Sequence, residues 1–373
     1  MSIDHHPRAP RRESARSTTG ARRPRVAGAL GSVLLASALL AACGTPTVEP
    51  APAVTVTPSI EPSKQAPPTP EVPVTWPLTG VATDELVDRP AVSVKVENTS
   101  SARPQSGLEQ ADVVWETIVE FEVSRLVAVY QSQVPTEVGP VRSVRPMDIP
   151  IAASLHGPLV FSGGQAGILA LVPAAGIQAI SHDAGAAGLA RVSWRSAPHN
   201  VYGNVETFMA SADSTHSSAP PEQFVFARSL ETSGAVLSGT PATTISFRLS
   251  AQSSPSWTWD EGSSLWLRSE GSTPAMANSG ARLSATNVVA VTAPHPDSGF
   301  DAQQGAPVPT YSLVGEGPVT VATGGRTVEG TWRKSATDEP LQLFDADGSP
   351  LLLAPGATWV ELVPQGTGSF TVG

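Results

Sequence analysis

Arg125-Leu126-Val127-Ala128-Val129-Tyr130 has no polar residue after its first position. Side chains alternate faces along a strand, so a run without alternation is predicted to be buried on both. It is expected to be a central strand around which its neighbours are arranged. Upstream, Asp112-Val113-Val114-Trp115-Glu116 is a second strand candidate, and Ala91 to Val96 alternates apolar and polar residues as a strand does. Downstream, Pro146 to Leu155 reads as a short helix. Leu159-Val160-Phe161 reads as a buried strand running into Ser162-Gly163-Gly164, and Gln165 to Val172 as a second helix. The Gly/Ala-rich stretch that follows, to Ala190, fits either state. Alternating strands and helices predict an α/β domain over residues 76–232.

Beyond about Ser233 the helical pattern fades. Strand candidates follow at Ile245 to Leu249, Ser256 to Asp260, Leu265 to Arg268, Asn287 to Thr292 and Tyr311 to Val314. They continue at Val319 to Ala322, Thr327 to Trp332, Leu341 to Phe344, Leu351 to Leu353 and Trp359 to Val363. Turn signals such as Gly324-Gly325 and Asp347-Gly348 separate them. Residues 233–365 are therefore expected to form a β-rich C-terminal domain, with 366–373 as a tail. The predicted class is α+β, a mixed α/β N-terminal region followed by a β-rich C-terminal region.

Residues 1–42 read as a secretory signal. An arginine-bearing polar start gives way to an apolar run from Val26 that closes in Leu40-Ala41-Ala42-Cys43, with the chain's only cysteine. That ending resembles a bacterial lipobox. It implies a lipid on Cys43, cleavage before it, and anchoring on the extracytoplasmic face of the cell membrane. The run is short for a bilayer that needs about 20 apolar residues. Arg22-Arg23 raises a twin-arginine route, but Pro24 and Arg25 stand where apolar residues belong, so general secretion is preferred. Residues 43–75 carry nine prolines among Thr, Ala and Glu, the composition of a disordered tether. At about 3.1 Å per residue, roughly thirty residues reach on the order of 90 Å.

At 373 residues and 40% hydrophobic, the chain can bury a substantial core. Its net charge is −10, and removing the seven arginines and two acids of residues 1–42 takes it to −15. Such a surface disfavours nucleic acid, whose phosphates reward Lys and Arg, and gains nothing from anionic headgroups. With Cys43 on lipid, no thiol remains for a disulfide or a cysteine–zinc site.

Several ordered blocks stand out. Asp88-Arg89-Pro90 leads into Val92-Ser93-Val94-Lys95-Val96-Glu97-Asn98, followed by Ala102-Arg103-Pro104-Gln105-Ser106-Gly107-Leu108. Then come Val138-Gly139-Pro140-Val141-Arg142-Ser143-Val144-Arg145-Pro146, Ser162-Gly163-Gly164, Ala197-Pro198-His199-Asn200-Val201-Tyr202 and Pro355-Gly356-Ala357-Thr358-Trp359. In this order they resemble the YerB-like lipoprotein family, built from paired N- and C-terminal domains of unknown function. The resemblance spans Trp76 to Pro364. It implies a Gram-positive surface lipoprotein with two linked regions and no known substrate. Where many relatives have His before Ser-Gly-Gly, this chain has Phe161.

Gly139 to Pro146 is the leading candidate site. Two prolines and a glycine stiffen the loop, and Arg142 and Arg145 lie three residues apart, on one side if the loop turns and on opposite sides if it is extended. Guanidinium forks suit phosphate and carboxylate. With Ser143, Arg103, Ser162 and the Gly163-Gly164 amides they can form a cradle for an anionic or glycan envelope ligand. The alternative is that the arginines bind backbone carbonyls, or Asp112 and Glu116, and stitch the domain together. His199 is a candidate general base with Asn200 orienting it, or else a loop histidine beside a turn asparagine. Glu109, Asp112, Glu116, Glu120 and Glu122 offer carboxylate pairs of the glycosidase kind, but their spacing favours a solvated face. Trp257, Trp259 and Trp266 can stack a sugar or cover the core, and the core is preferred. No HxH or HExxH spacing, Walker loop, dinucleotide fingerprint or nucleophile elbow appears in the mature chain, so no metal or cofactor is expected. Three roles remain open: a binding lipoprotein, a hydrolase of envelope phosphodiesters or glycans, and an assembly factor that docks envelope proteins.

Overall fold

Strand β3 (Ser124–Tyr130) lies between β1 (Val92–Glu97) and β2 (Val113–Ile118) and pairs antiparallel with both. Leu126, Ala128 and Tyr130 join one hydrophobic cluster while Val127 and Val129 join another. Both faces of the strand are covered, which is why its run carries no alternation. The computed structural model describes residues 73–302 and 305–373. The signal, Cys43 and all of the tether before Pro73 lie outside the described residues.

On the far side of β1 the sheet continues in parallel through β4 (Leu159–Phe161) and β5 (Ala179–Ser181). The later part of the chain supplies β6 (Thr244–Arg248), β7 (Pro255–Asp260), β8 (Leu265–Glu270), β9 (Asn287–Ala293) and β10 (Gly315–Thr323). It also supplies β11 (Arg326–Lys334), β12 (Gln342–Phe344), β13 (Thr358–Pro364) and β14 (Ser369–Val372), besides a few shorter strands. The large sheet has eleven strands, in the order β12-β11-β10-β9-β13-β2-β3-β1-β4-β5 with Thr240–Pro241 added on β11. Strand β13 sits between β2 and β9, parallel to both. Parallel neighbours need a long crossover, and the one from β2 to β13 takes in all of the chain from Val119 to Ala357. Strands from both sides of residue 232 therefore share one sheet, and the described residues belong to one compact unit.

A second, six-stranded sheet built on β8-β7-β6-β14 covers one face of the first. Ile245, Phe247, Trp257 and Trp266 meet Val114, Leu126 and Trp359 there. The opposite face is closed by Met147, Ile151 and Leu155, in and around the short helix α1 (Asp148–Ala152), and by Tyr311 and Leu313. The fold is sheet-rich and mixed, with four α-helices among the described residues, of which α2 (Ala166–Ala174) is the longest.

Some expectations change here. Tyr311 to Val314 and Leu351 to Leu353 are not strands but apolar segments laid on the sheet. Tyr311 Oη donates to the Leu362 carbonyl at 3.0 Å and accepts from the Ile118 amide at 3.3 Å. The carboxylates expected on a solvated face are largely inside: Asp112, Glu116 and Glu120 are all buried. Asp112 accepts from the Gln131 and Ser132 amides, and Glu116 and Glu120 meet arginines. Trp257 and Trp266 are fully buried between the sheets, and Trp259 tilts against Trp266 at 5.5 Å between ring centroids.

Candidate functional site

The loop from Val138 to Pro146 runs along the end of β1 and is fixed by its backbone. The Val138 and Val141 amides donate to Gly203 and Val201, and the Arg142 amide donates to Lys95. The Arg142 carbonyl accepts from the Ser162 amide, and the Val144 amide donates to Gly163. Gly139 has φ +154°, and a Cβ there would stand 2.7 Å from the Tyr202 ring, so the approach requires glycine. Arg142 and Arg145 are thereby carried to one cleft of about 860 Å³ with Ser143, Gly164 and His199 on its walls.

Two buried glutamates organise the cleft. Glu97, the last residue of β1, accepts from His199 Nδ1 at 2.9 Å and from Thr99 Oγ1 at 2.8 Å, with Arg142 Nε at 3.4 Å. Arg142 also donates to the Pro198 carbonyl at 3.3 Å. Glu120 is the second centre. Arg145 grips it with a two-pronged fork, Nε at 2.6 Å and Nη2 on the other oxygen, and Arg125 Nη2 adds a bond at 3.2 Å. The remaining donors of Arg145 and Arg125 go to the Ser143 and Val144 carbonyls. Burial works to raise the Glu120 carboxyl, but the Arg145 hydrogen bond and the two guanidinium charges prevail and hold it at about 2. Arg125 is pushed down to about 9, first by burial and then by the charge of Arg145 beside it.

The two arginines therefore differ in kind. Arg145 is consumed by the Glu120 clamp, whereas Arg142 remains partly open to the cleft. Internal pairing was one of the alternatives, but the acids are Glu97 and Glu120 rather than Asp112 and Glu116. Arg103 does not line the cleft. It donates to Asn98 and pairs with Glu270 at 2.9 Å, in a network between the two sheets. Ser162 and Gly163 act through their backbone groups on the loop. A Cβ on Gly163 would stand 2.0 Å from the Asp183 carboxylate, which explains the glycine there. Asn200 does not orient His199; it accepts from Arg191 at 2.7 Å and donates to the Val192 carbonyl, bracing its own hairpin. The partner of His199 is Glu97, more than a hundred positions earlier in the chain. Lys95 and Glu97 were the available signal, two charges inside an apolar strand.

Residues 78–218 match the family model described as "Protein of unknown function (DUF3048) N-terminal domain", and 245–360 match the DUF3048 C-terminal domain. The chain belongs to this YerB-like family. "Putative lipoprotein YerB" of Bacillus subtilis (strain 168) is 42% identical over 92 residues, which is 24% of this chain and 28% of that relative. The crystal structure of YerB protein from Bacillus subtilis aligns with a TM-score of 0.68, covering 80% of this chain and 99% of that one. At 23% identity the structural likeness is one of fold. Both cleft motifs, Arg142 to Arg145 and Pro198 to Asn200, fall within the match to the DUF3048 N-terminal domain. Among the described residues no three metal-ligating side chains gather, and no helix is long and apolar enough to cross a membrane.

Proposed function

We propose that this DUF3048 protein is a lipoprotein held by a lipid on Cys43 at the extracytoplasmic face of the cell membrane. Its cleft, on the α/β N-terminal portion, binds an anion-bearing envelope ligand through Arg142 and His199. The β-rich portion supports that cleft. The observation that carries this reading is the Glu97 centre, a buried carboxylate that aims one guanidinium and one imidazole at the same cavity. Because Arg145 and Arg125 spend their donors on Glu120 and on backbone carbonyls, the cleft offers one partly open arginine to an anion rather than two. With Asp183 and Asp301 also on the walls, that favours a ligand with a single negative group over a polyphosphate.

Thermal denaturation of the full chain against wall phosphates and glycan fragments tests this. A ligand at a hundred times its Kd stabilises the wild type by about 2.7 kcal/mol. Arg142→Ala is expected to lose the ligand shift, and to melt somewhat lower than wild type because the buried Glu97 loses its guanidinium partner. Arg145→Ala is expected to melt lower with or without ligand. Loss of the ligand shift in neither variant would sink the binding role of Arg142.

A second reading is hydrolysis of an envelope ester or glycan. It rests on the Glu97–His199 contact, since a neutral ring that donates from Nδ1 carries its lone pair on Nε2, as a general base requires. Under this reading His199→Ala lowers kcat at saturating substrate by about a hundredfold or more. Unchanged turnover in that variant would reject the base role.

A further inference from the structure

Phe121 lines the same cleft, yet 60% of it is exposed. It belongs to a turn in which two consecutive residues other than glycine, Phe121 and Glu122, stand at φ +61° and +60°. Left-handed backbone brings Cβ against the carbonyl oxygen, so each residue is held there at a cost that the surroundings must impose. They do so from several sides. The Val119 amide donates to Val123 across the turn at 2.9 Å, Ser250 Oγ donates to the Glu122 carbonyl, and Glu120 is fixed by two arginines. Phe121 belongs to none of the three hydrophobic clusters of the core. The turn holds a large aromatic face outward at the mouth of a cavity.

The walls of the cavity are mixed: Phe121, Val123, Ile168 and Val308 are apolar, while Glu97, Asp183, Ser143, His199 and Arg142 are polar. An acyl chain would desolvate the carboxylates without bonding them. A sugar ring presents C–H groups on its face and hydroxyl donors on its edge, which suits walls of both kinds. The Arg142 guanidinium has five N–H donors, and among the described residues its ion pair and hydrogen bond go only to Glu97 and the Pro198 carbonyl.

We infer that Phe121 is the platform on which a sugar ring stacks, and that the ligand is a sugar carrying one carboxylate or phosphate that reaches Arg142. The inference rests on the binding reading above and adds the ligand class and a specificity-determining residue.

The test uses the full chain in detergent micelles and ligand-observed NMR titrations. The probes are N-acetylmuramic acid (ring and carboxylate), glucose 6-phosphate (ring and phosphate), N-acetylglucosamine (ring alone) and lactate (carboxylate alone). Wild type is expected to bind one or both anionic sugars at least tenfold more tightly than N-acetylglucosamine or lactate. Phe121→Ala is expected to weaken that binding about tenfold and Phe121→Trp to retain it, the range of an aromatic stacking contact. Phe121→Gly is expected to lose the same binding while its melting temperature rises by about 1–3 °C, because glycine relieves the left-handed position. Equal binding by wild type and Phe121→Ala, with Arg142→Ala still defective, would overturn the platform and leave the binding reading standing. A Phe121→Gly chain that melts lower would show that the ring serves the fold, and would also overturn it. No binding of any probe by wild type would remove the ligand class proposed here, and a ligand shift in the thermal panel that Arg142→Ala lacks would still uphold the cleft.

Discussion

Arg268→Ala is expected to lower stability at neutral pH by about 3–5 kcal/mol, the range for removing one partner of a buried charge network. Arg268 lies on β8, fully buried between the sheets. It donates to Glu116 on β2 and to Glu270 on its own strand, and stands 4.8 Å from the centre of the Trp359 ring. Glu116 is directly opposite Glu361 on the parallel strand β13. Burial, and then the charge of Glu116, push the Glu361 carboxyl well above the ordinary range, so it is the neutral member of the pair. Trp257 Nε1 donates to its Oε1 at 2.9 Å. Burial opposes the charge on Glu116 as well, but Arg268 outweighs it and holds that carboxyl below its usual value. Without Arg268, Glu116 is left inside with no counter-charge, and Glu270 keeps only Arg103. The folded-state affinity of Glu116 for a proton then rises above the unfolded one, so the variant's deficit grows as pH rises and shrinks on acidification. Urea midpoints at pH 7 and pH 4 measure this. A deficit under about 1 kcal/mol, or one independent of pH, would sink the account. Glu116→Gln combined with Arg268→Met should recover part of the loss, because it removes the charge and its counter-charge together.

That network also marks where the sequence stops being legible. The apolar runs of β1, β2, β3 and β13 announce strands, and Val127 beside Ala128 announces burial on two faces. What covers those faces is not written locally. Glu116 and Glu120, four residues apart and so on one face of an extended strand, look like residues for water. They are buried because Arg268 arrives from 152 positions later and Arg145 from 25. Likewise Tyr311 to Val314 and Leu351 to Leu353 have the apolar character of strands. Hydrophobicity alone does not distinguish a segment paired within a sheet from one packed on it. The insertion of β13 between β2 and β9 follows from pairing across the whole chain, which no window of residues contains.

The cleft was legible in part for the same reason. The spacing of Arg142 and Arg145 and the loop of Pro198-His199-Asn200 pointed to residues that do line one cavity. Their roles were not readable, since each is set by a distant acid. Asn200 stood next to His199 in sequence and was the natural partner to expect, yet its side chain faces Arg191 and Val192. Glu97 does that work from the end of β1. Phe121 carried no signal at all, because the conformation that displays it is imposed by the clamp on Glu120.

Glu120→Gln should therefore be the most informative change near the site, with an expected loss of about 3–5 kcal/mol at pH 7. The amide keeps the size and some hydrogen bonds but leaves Arg125 and Arg145 as buried cations with no anion between them. The pH dependence gives the cause. Glu120 is held at about 2 in the folded chain against an ordinary value of 4.5. Its contribution is thus fully present above pH 4.5 and is lost as pH falls towards 2, where the wild-type carboxyl becomes neutral like the amide. Wild type and Glu120→Gln, compared by urea denaturation at pH 7, 4 and 2.5, should converge at the acid end. A gap that stays constant from pH 7 to 2.5 would mean that the charge of Glu120 is not what holds the clamp. Because Arg145 and Arg125 also bind the Ser143 carbonyl, the same variant should bind ligand more weakly at Arg142, although Arg142 itself touches Glu97 and not Glu120. Undiminished binding in a destabilised Glu120→Gln chain would separate the two glutamate centres and leave Glu97 alone in charge of the site.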